Sequence, residues 1–202
     1  MNQSEIRQFI DSLQAASHRN IVIIDFGNVQ KWENNLGWKI GVRELGNLTK
    51  HLTKGNKFLR RFYYGSDLGP NEKQQIPTMW SAAILNKARM SGFEIITKRV
   101  KYIHDKNYAT GFVKKCDFDL EIMLDLIKEQ KNYDTIFLFS GDGDMACALE
   151  YLHSVYNKKI YIFGARDHTG REVFDARANG IVANVFFAED FEYRLRFNRF
   201  NP

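Results

Sequence analysis

Three stretches of this chain end in carboxylates where buried structure should meet solvent. In VIIDFGNVQ (22–30) a run of branched apolar residues stops at Asp25, and an amide, Asn28, follows three residues later. TIFLFSGDGDMACALEYL (135–152) is a second such run. It ends at Ser140, turns through glycines, and presents Asp142 and Asp144 ahead of a helical pattern. KKCDFDLEIMLDLI (114–127) adds a third acidic group. Asp117, Glu121 and Asp125 recur at every fourth position, so in a helix they form one acidic stripe opposite Leu120, Met123, Leu124 and Ile127, with Asp117 at its head. Several carboxylates at one edge repel one another and destabilise the fold. Such a cluster persists when a hard divalent cation occupies it. Mg²⁺ and Mn²⁺ take oxygen ligands and keep waters and substrate phosphates in their shell. A cation held this way activates water and neutralises charge on a phosphodiester.

Each residue also has a plainer reading. Asp142 or Asp144 can cap the following helix, Asn28 can be a turn former, and Asp119 and Asp125 are open to either a site role or a solvent-facing helix position. Asp25 is the hardest to explain away, because a carboxylate ending a buried strand needs a partner and no basic residue adjoins it.

Charge supports a polyanionic partner. The 202-residue chain carries a net +5, and its pI is about 9.1. Between Lys98 and Lys115 stand six basic residues (Lys98, Arg99, Lys101, Lys106, Lys114 and Lys115) against Asp105 alone, a local excess equal to the net charge of the whole chain. Tyr102, Tyr108 and Phe112 are interleaved, which suits a surface that grips phosphates and stacks bases. The alternative is a solvated, lysine-rich loop.

These residues need a scaffold. Apolar runs rich in Ile, Val, Phe and Tyr at 20–25, 58–64, 93–100, 135–140, 159–163 and 181–187 predict strands. Helical patterns lie between them at about 40–54, 78–91, 118–130, 144–157 and 170–179, after an amphipathic helix at about 4–16. Strand alternating with helix predicts an α/β protein, a mostly parallel sheet covered on both faces in three α/β/α layers. No linker divides the chain, so residues 1–202 read as one domain. Residues 65–77 and 101–116 are expected to be long loops. In such a sheet, ligands bind beyond the carboxyl ends of the strands where strand order reverses. A hydrophobic content of 44% suffices for the core. Cys116 and Cys147 form no metal-ligand motif and read as free thiols in a reducing compartment. With no membrane-length run, the expectation is a soluble, cytoplasmic protein. Trp32, Trp38 and Trp80 are available to a homodimer surface or to the core.

The three acidic motifs, in this order, resemble those of NYN domains, most closely the bacterial LabA-like branch, over about residues 20–190. IDFGNV resembles the first-strand signature, KKCDFDLEIMLDLI the central motif, and DTIFLFSGDGDMACAL the fourth-strand Ser-Gly-Asp-x-Asp motif. The resemblance implies a PIN-like nuclease fold and metal-dependent cleavage of RNA; the carboxylate donors point to Mg²⁺ or Mn²⁺, and the interleaved aromatics to single-stranded RNA. It implies Asp25, Asn28, Asp117, Asp142 and Asp144 as catalytic residues, with Asp25, Asp117, Asp142 and Asp144 as metal ligands. Asn28 would orient a water, a phosphate or a carboxylate. Lys98, Arg99, Lys101, Lys114 and Lys115 would hold the strand. Lys115 and Cys116 depart from the small glycine and the valine usual there.

Rival readings are weaker. GDGD also resembles the acidic motif of haloacid-dehalogenase-like phosphatases, but the general acid those enzymes need two residues after the first Asp is Gly27 here. A receiver domain would need its acceptor Asp at the end of the third strand, where this chain has RRFYYGSDLG or ITKRVKY instead. The stronger rival is a non-catalytic module that keeps the fold and binds RNA or protein.

Overall fold

The computed structural model describes residues 2, 4, 5, 8, 19–53, 59–71 and 73–197, so most of the expected N-terminal helix lies outside the described residues. Six parallel strands form the central sheet: β1 (Asn20–Asp25), β2 (Arg60–Tyr63), β3 (Glu94–Ile96), β6 (Thr135–Phe139), β7 (Lys159–Gly164) and β8 (Asn184–Phe187). Their order is β3-β2-β1-β6-β7-β8. Strand order therefore reverses between β1 and β6, and Asp25 and the Asp142 loop follow those two strands.

Every residue of β1 and β6 is buried, as expected where helices cover both faces of a parallel sheet. Side chains alternate between two cores. Val22 and Ile24, with Phe62, Phe137, Phe139 and Phe163, pack against α1 (Phe26–Leu36), α2 (Val42–Leu52), α3 (Met79–Met90) and α7 (Glu192–Leu195). Ile21 and Ile23, with Ile136, Leu138, Ile160 and Ile162, pack against α4 (Asp119–Lys128), α5 (Ala146–Tyr156) and α6 (Arg171–Ala178). The expected α/β/α layering is what the chain adopts. Among the described residues no helix is long and apolar enough to cross a membrane. Trp32 belongs to the core, Trp38 is half-buried, and Trp80 is exposed.

Three departures from the sequence reading bear on the site. First, α1 begins at once after β1. Asp25 is its N-cap and Gly37, at φ 70°, ends it. Second, residues 101–116 are not simply a loop. They contain an antiparallel hairpin, β4 (Lys101–His104) with β5 (Phe112–Lys115), outside the main sheet. Asp67 anchors it, accepting from the Tyr102 hydroxyl at 2.6 Å and from Lys114 Nζ at 2.8 Å. Third, α4 starts at Asp119, so Asp117 precedes the helix and does not head it.

The stripe thereby divides. Asp125 accepts from the Tyr63 hydroxyl at 2.6 Å and lies 3.2 Å from Arg61 Nη1. Arg61 also meets Glu129 at 3.0 Å and Glu94 at 3.4 Å. This buried guanidinium ties α4 to β2 and β3. Truncating one partner of a buried pair costs roughly 3–5 kcal/mol; Asp125 is partly exposed, so Asp125→Ala should cost about 2 kcal/mol. Urea unfolding measures that loss. An unchanged midpoint would remove Asp125 from the fold's supports.

Candidate active site

The walls of the crevice are the ends of β1 and β6. Asp25 pairs with Tyr63 at the last register position of β1 and is buried. Its Oδ1 accepts the Asn28 amide at 3.3 Å. Burial pushes its carboxyl up to about 6; the Asn28 amide and Lys31 oppose that rise, and Asp142 adds to it. Lys31, on α1, is thus a basic neighbour of Asp25 that the local sequence did not single out.

Across the crevice, β6 runs into Ser140–Gly141–Asp142. Gly141 is required by close packing, since a Cβ there would stand 2.2 Å from the His168 carbonyl oxygen. Its own carbonyl accepts from the Gly170 amide at 2.8 Å. The loop is thereby pressed against the β7–α6 connection. Asp142 Oδ1 then accepts the Asp144 amide at 3.1 Å, which caps the turn leading into α5.

Asn28 joins the two walls. Its Oδ1 accepts the Gly141 amide at 3.1 Å and the Trp32 indole N–H at 2.9 Å. Its Nδ2 is the group left to donate to anything in the crevice.

The third acidic segment enters from the start of α4. Asp117 Oδ1 accepts the Asp119 amide at 3.1 Å. That bond, with Lys115 and Lys98 nearby, holds Asp117 below the usual carboxylate range. Asp119 behaves oppositely: burial first, then Asp117, Asp142 and Asp25, push it up to about 7. Asp119 therefore feels every other acid of the crevice. Sequence reasoning left it open between site and solvent because the helix register placed Asp117 at the head. The available signal was CDFD itself, a second acid two residues on, in the first turn of a helix.

Other expected residues are engaged elsewhere. Asp144 is exposed. Lys98 bonds to Glu121 and lies 4.7 Å from the Phe118 ring centroid. Arg99 donates to the carbonyls of Asn71 and Gln74 at 2.7 and 3.2 Å, and Lys114 holds Asp67. Lys101 and Lys115 are exposed and stand directly opposite each other in the hairpin.

Among the described residues, no three His, Cys, Asp or Glu side chains form a ready-made metal cage. Mg²⁺ does not require one, since it is commonly bound through one or two carboxylates and keeps several waters. The donor set is all oxygen, and burial together with neighbouring acids raises two of its carboxyls, a cost that a bound cation would offset. That environment fits a hard cation.

Comparison with known proteins identifies the family and the fold. A family model for the NYN domain matches residues 5–184. Low amplitude and bright protein LabA from Synechococcus elongatus is 36% identical over 63 residues, which are 31% of this chain and 34% of that protein. The aligned stretch thus spans about a third of this relative's length. A solved structure of a protein of unknown function, VPA0982 from Vibrio parahaemolyticus, superposes with a TM-score of 0.59 at 21% identity, covering 89% of this chain and 98% of that one. It shares the fold.

Asp25 and Asp119 have an ordinary carboxyl value of 3.8, raised to about 6 and about 7 in the folded protein. Between those limits the folded state binds more protons than the unfolded chain, so stability falls as pH rises from about 4 to about 7. Asp25→Asn or Asp119→Asn should flatten that fall in EDTA. At neutral pH each should unfold no earlier than wild type. Asn caps a helix about as well as Asp, so Asp25→Asn leaves α1 supported. Thermal unfolding across this pH range is the measurement, and destabilisation at neutral pH in EDTA would identify a structural carboxylate instead.

Proposed function

This chain belongs to the NYN domain family, a nuclease-like family, and on that premise we propose that it is a metal-dependent ribonuclease acting on single-stranded RNA in the cytoplasm. The observation that carries the proposal is the convergence of Asp25, Asp119, Asp142 and Asp117 at the point where strand order reverses, with Asp25 and Asp119 raised by burial and by neighbouring acids. Mg²⁺ or Mn²⁺ held through one or two of Asp25, Asp119 and Asp142, with Asp117 adjoining, would supply activation of water and neutralisation of charge on the scissile phosphate. Asp144 serves at the exposed rim. Asn28 Nδ2 donates to a phosphate oxygen or an ordered water, while its Oδ1 keeps the two walls at fixed separation. Lys115, beside Asp117, and Lys101 opposite it hold the flanking phosphates. The free thiols Cys116 and Cys147 support the reducing compartment.

The second reading, a module that binds RNA without turnover, is favoured by one observation: the described acids do not already form a cage. Labelled single-stranded RNA incubated with the protein and Mn²⁺, beside an EDTA control, separates the two. Cleavage with Mn²⁺ that is lost in EDTA and in Asp142→Asn is expected. Metal-independent binding with no product would favour the module.

Two further outcomes follow from the geometry. Lys101 and Lys115 repel across the hairpin, so Lys115→Gln should be as stable as wild type. It should bind RNA more weakly, with the slope of log affinity against log salt smaller in magnitude by about 0.7; an unchanged slope removes it from the phosphate path. Asn28→Ala removes the acceptor for the Gly141 amide and the Trp32 indole. It should slow cleavage roughly ten- to a hundred-fold and destabilise by about 1–3 kcal/mol through the groups left unpaired. Normal rates in the remaining folded protein would leave Asn28 a purely structural latch.

A further inference from the structure

A second concave surface lies on the other side of α1. This open groove of about 1090 Å³ runs between α2 and α3, and Phe26 at the start of α1 and Phe197 just after α7 also line it. Phe26 directly follows Asp25, so the groove and the acidic crevice share the N-terminus of one helix.

The lining combines exposed aromatic faces with exposed cations. Trp80, in the first turn of α3, is 64% exposed, although burying an indole would have been favourable. Phe197 is 41% exposed, and Trp38 is half-buried beside them. Lys39 Nζ stands 5.7 Å from the Trp80 ring centroid and Lys87 Nζ 5.4 Å from that of Phe197. Lys50 is exposed on the same lining. The two acids of the groove are turned into the fold. Glu33 accepts from the Ile40 amide at 2.9 Å, and Glu44 Oε2 is buried where the backbone passes at Gly41. What faces solvent is therefore positive charge set against flat rings.

We propose that this groove is a second binding site for single-stranded RNA, holding the strand beyond the acidic crevice by stacking bases on Trp80 and Phe197 and pairing phosphates with Lys39, Lys87 and Lys50. The charge selects a polyanion. The aromatic faces select one with unpaired bases, since stacking on a ring is unspecific in sequence but needs an open base. A protein or a second copy of the chain would cover the rings equally well but gives no account of the lysines. The proposal rests on RNA being the ligand of the crevice, and it adds a dependence on strand length: oligonucleotides that fill only the crevice do not reach the groove.

The test uses full-length protein in EDTA, where no cleavage occurs, titrated with single-stranded RNAs of about 6 and about 20 nucleotides, lengths that bracket common single-strand site sizes. Trp80→Ala should weaken the longer RNA roughly ten-fold. Lys39→Gln with Lys87→Gln should reduce its salt slope by about 1.4. The short RNA should bind all variants alike, and with Mn²⁺ its cleavage should be unchanged. All three side chains are exposed, so folding should be preserved, and thermal unfolding verifies that. If Trp80→Ala and the lysine pair bind the long RNA as wild type does, the groove belongs to another occupant and the proposal falls, whether or not cleavage is seen. If the protein never cleaves RNA yet its long-RNA affinity depends on Trp80, the groove stands and the ribonuclease reading falls.

Discussion

The parallel pairing of β1 with β6 is the contact on which the candidate site depends. Asn20 to Ile24 lie in register with Thr135 to Phe139, so the chain leaves both strands at the same level, and Asp25 and Asp142 arrive at one crevice from opposite halves of the fold. Sheet pairing sets the level of the two exits but not their separation. The Asn28 side-chain oxygen, Oδ1, sets that by accepting from Gly141 on one side and Trp32 on the other. Because Trp32 is fully buried, the latch is anchored in the core.

A capping role does not exclude a ligand role for these carboxylates. Asp25 Oδ1 takes the Asn28 amide, Asp142 Oδ1 the Asp144 amide, and Asp117 Oδ1 the Asp119 amide. Each carboxylate commits one oxygen to the start of a helix or turn and keeps a second. The positive end of a helix partly offsets the repulsion among the acids, which is how a fold holds them together before any cation arrives. Asp119 has no such bond to spare it, and its carboxyl is the one pushed highest.

The sheet was legible because its central strands are buried on both faces and read as unbroken apolar runs. α1 was not, because FGNVQKWENNL contains Gly27 and three asparagines, poor helix formers. Its stability comes from the Asp25 cap and from burial of Phe26, Val29 and Trp32, which are tertiary facts. The hairpin was hidden for a related reason: KYIH and FVKK are short and lysine-rich, and their anchor, Asp67, is far away in sequence. Asp25 and Asp142 could be placed at one sheet edge from sequence because motif and strand end coincide, whereas Asp117 rested on its motif alone. The basic residues were less legible. A lysine's charge is visible in sequence, but the glutamate or carbonyl that engages it is not, so Lys98, Arg99 and Lys114 could not be told from Lys101 and Lys115.

The distribution of partnered and unpartnered charges bears on the proposed ligand. The basic residues with partners stiffen the segments around it: Lys98 fixes the start of α4, Arg99 the 71–74 loop, Lys114 the hairpin base. What remains is one group of acids that repel one another and, beside Asp117, one pair of lysines that do the same across the hairpin. The two groups do not neutralise each other by direct contact, since Lys101 and Lys115 stay exposed on the hairpin while Asp25 is buried at the strand end. A ligand that relieves both must carry negative charge toward the lysines and positive charge toward the acids. A phosphodiester chain accompanied by a divalent cation does so at once, and neither a cation nor a polyanion alone would.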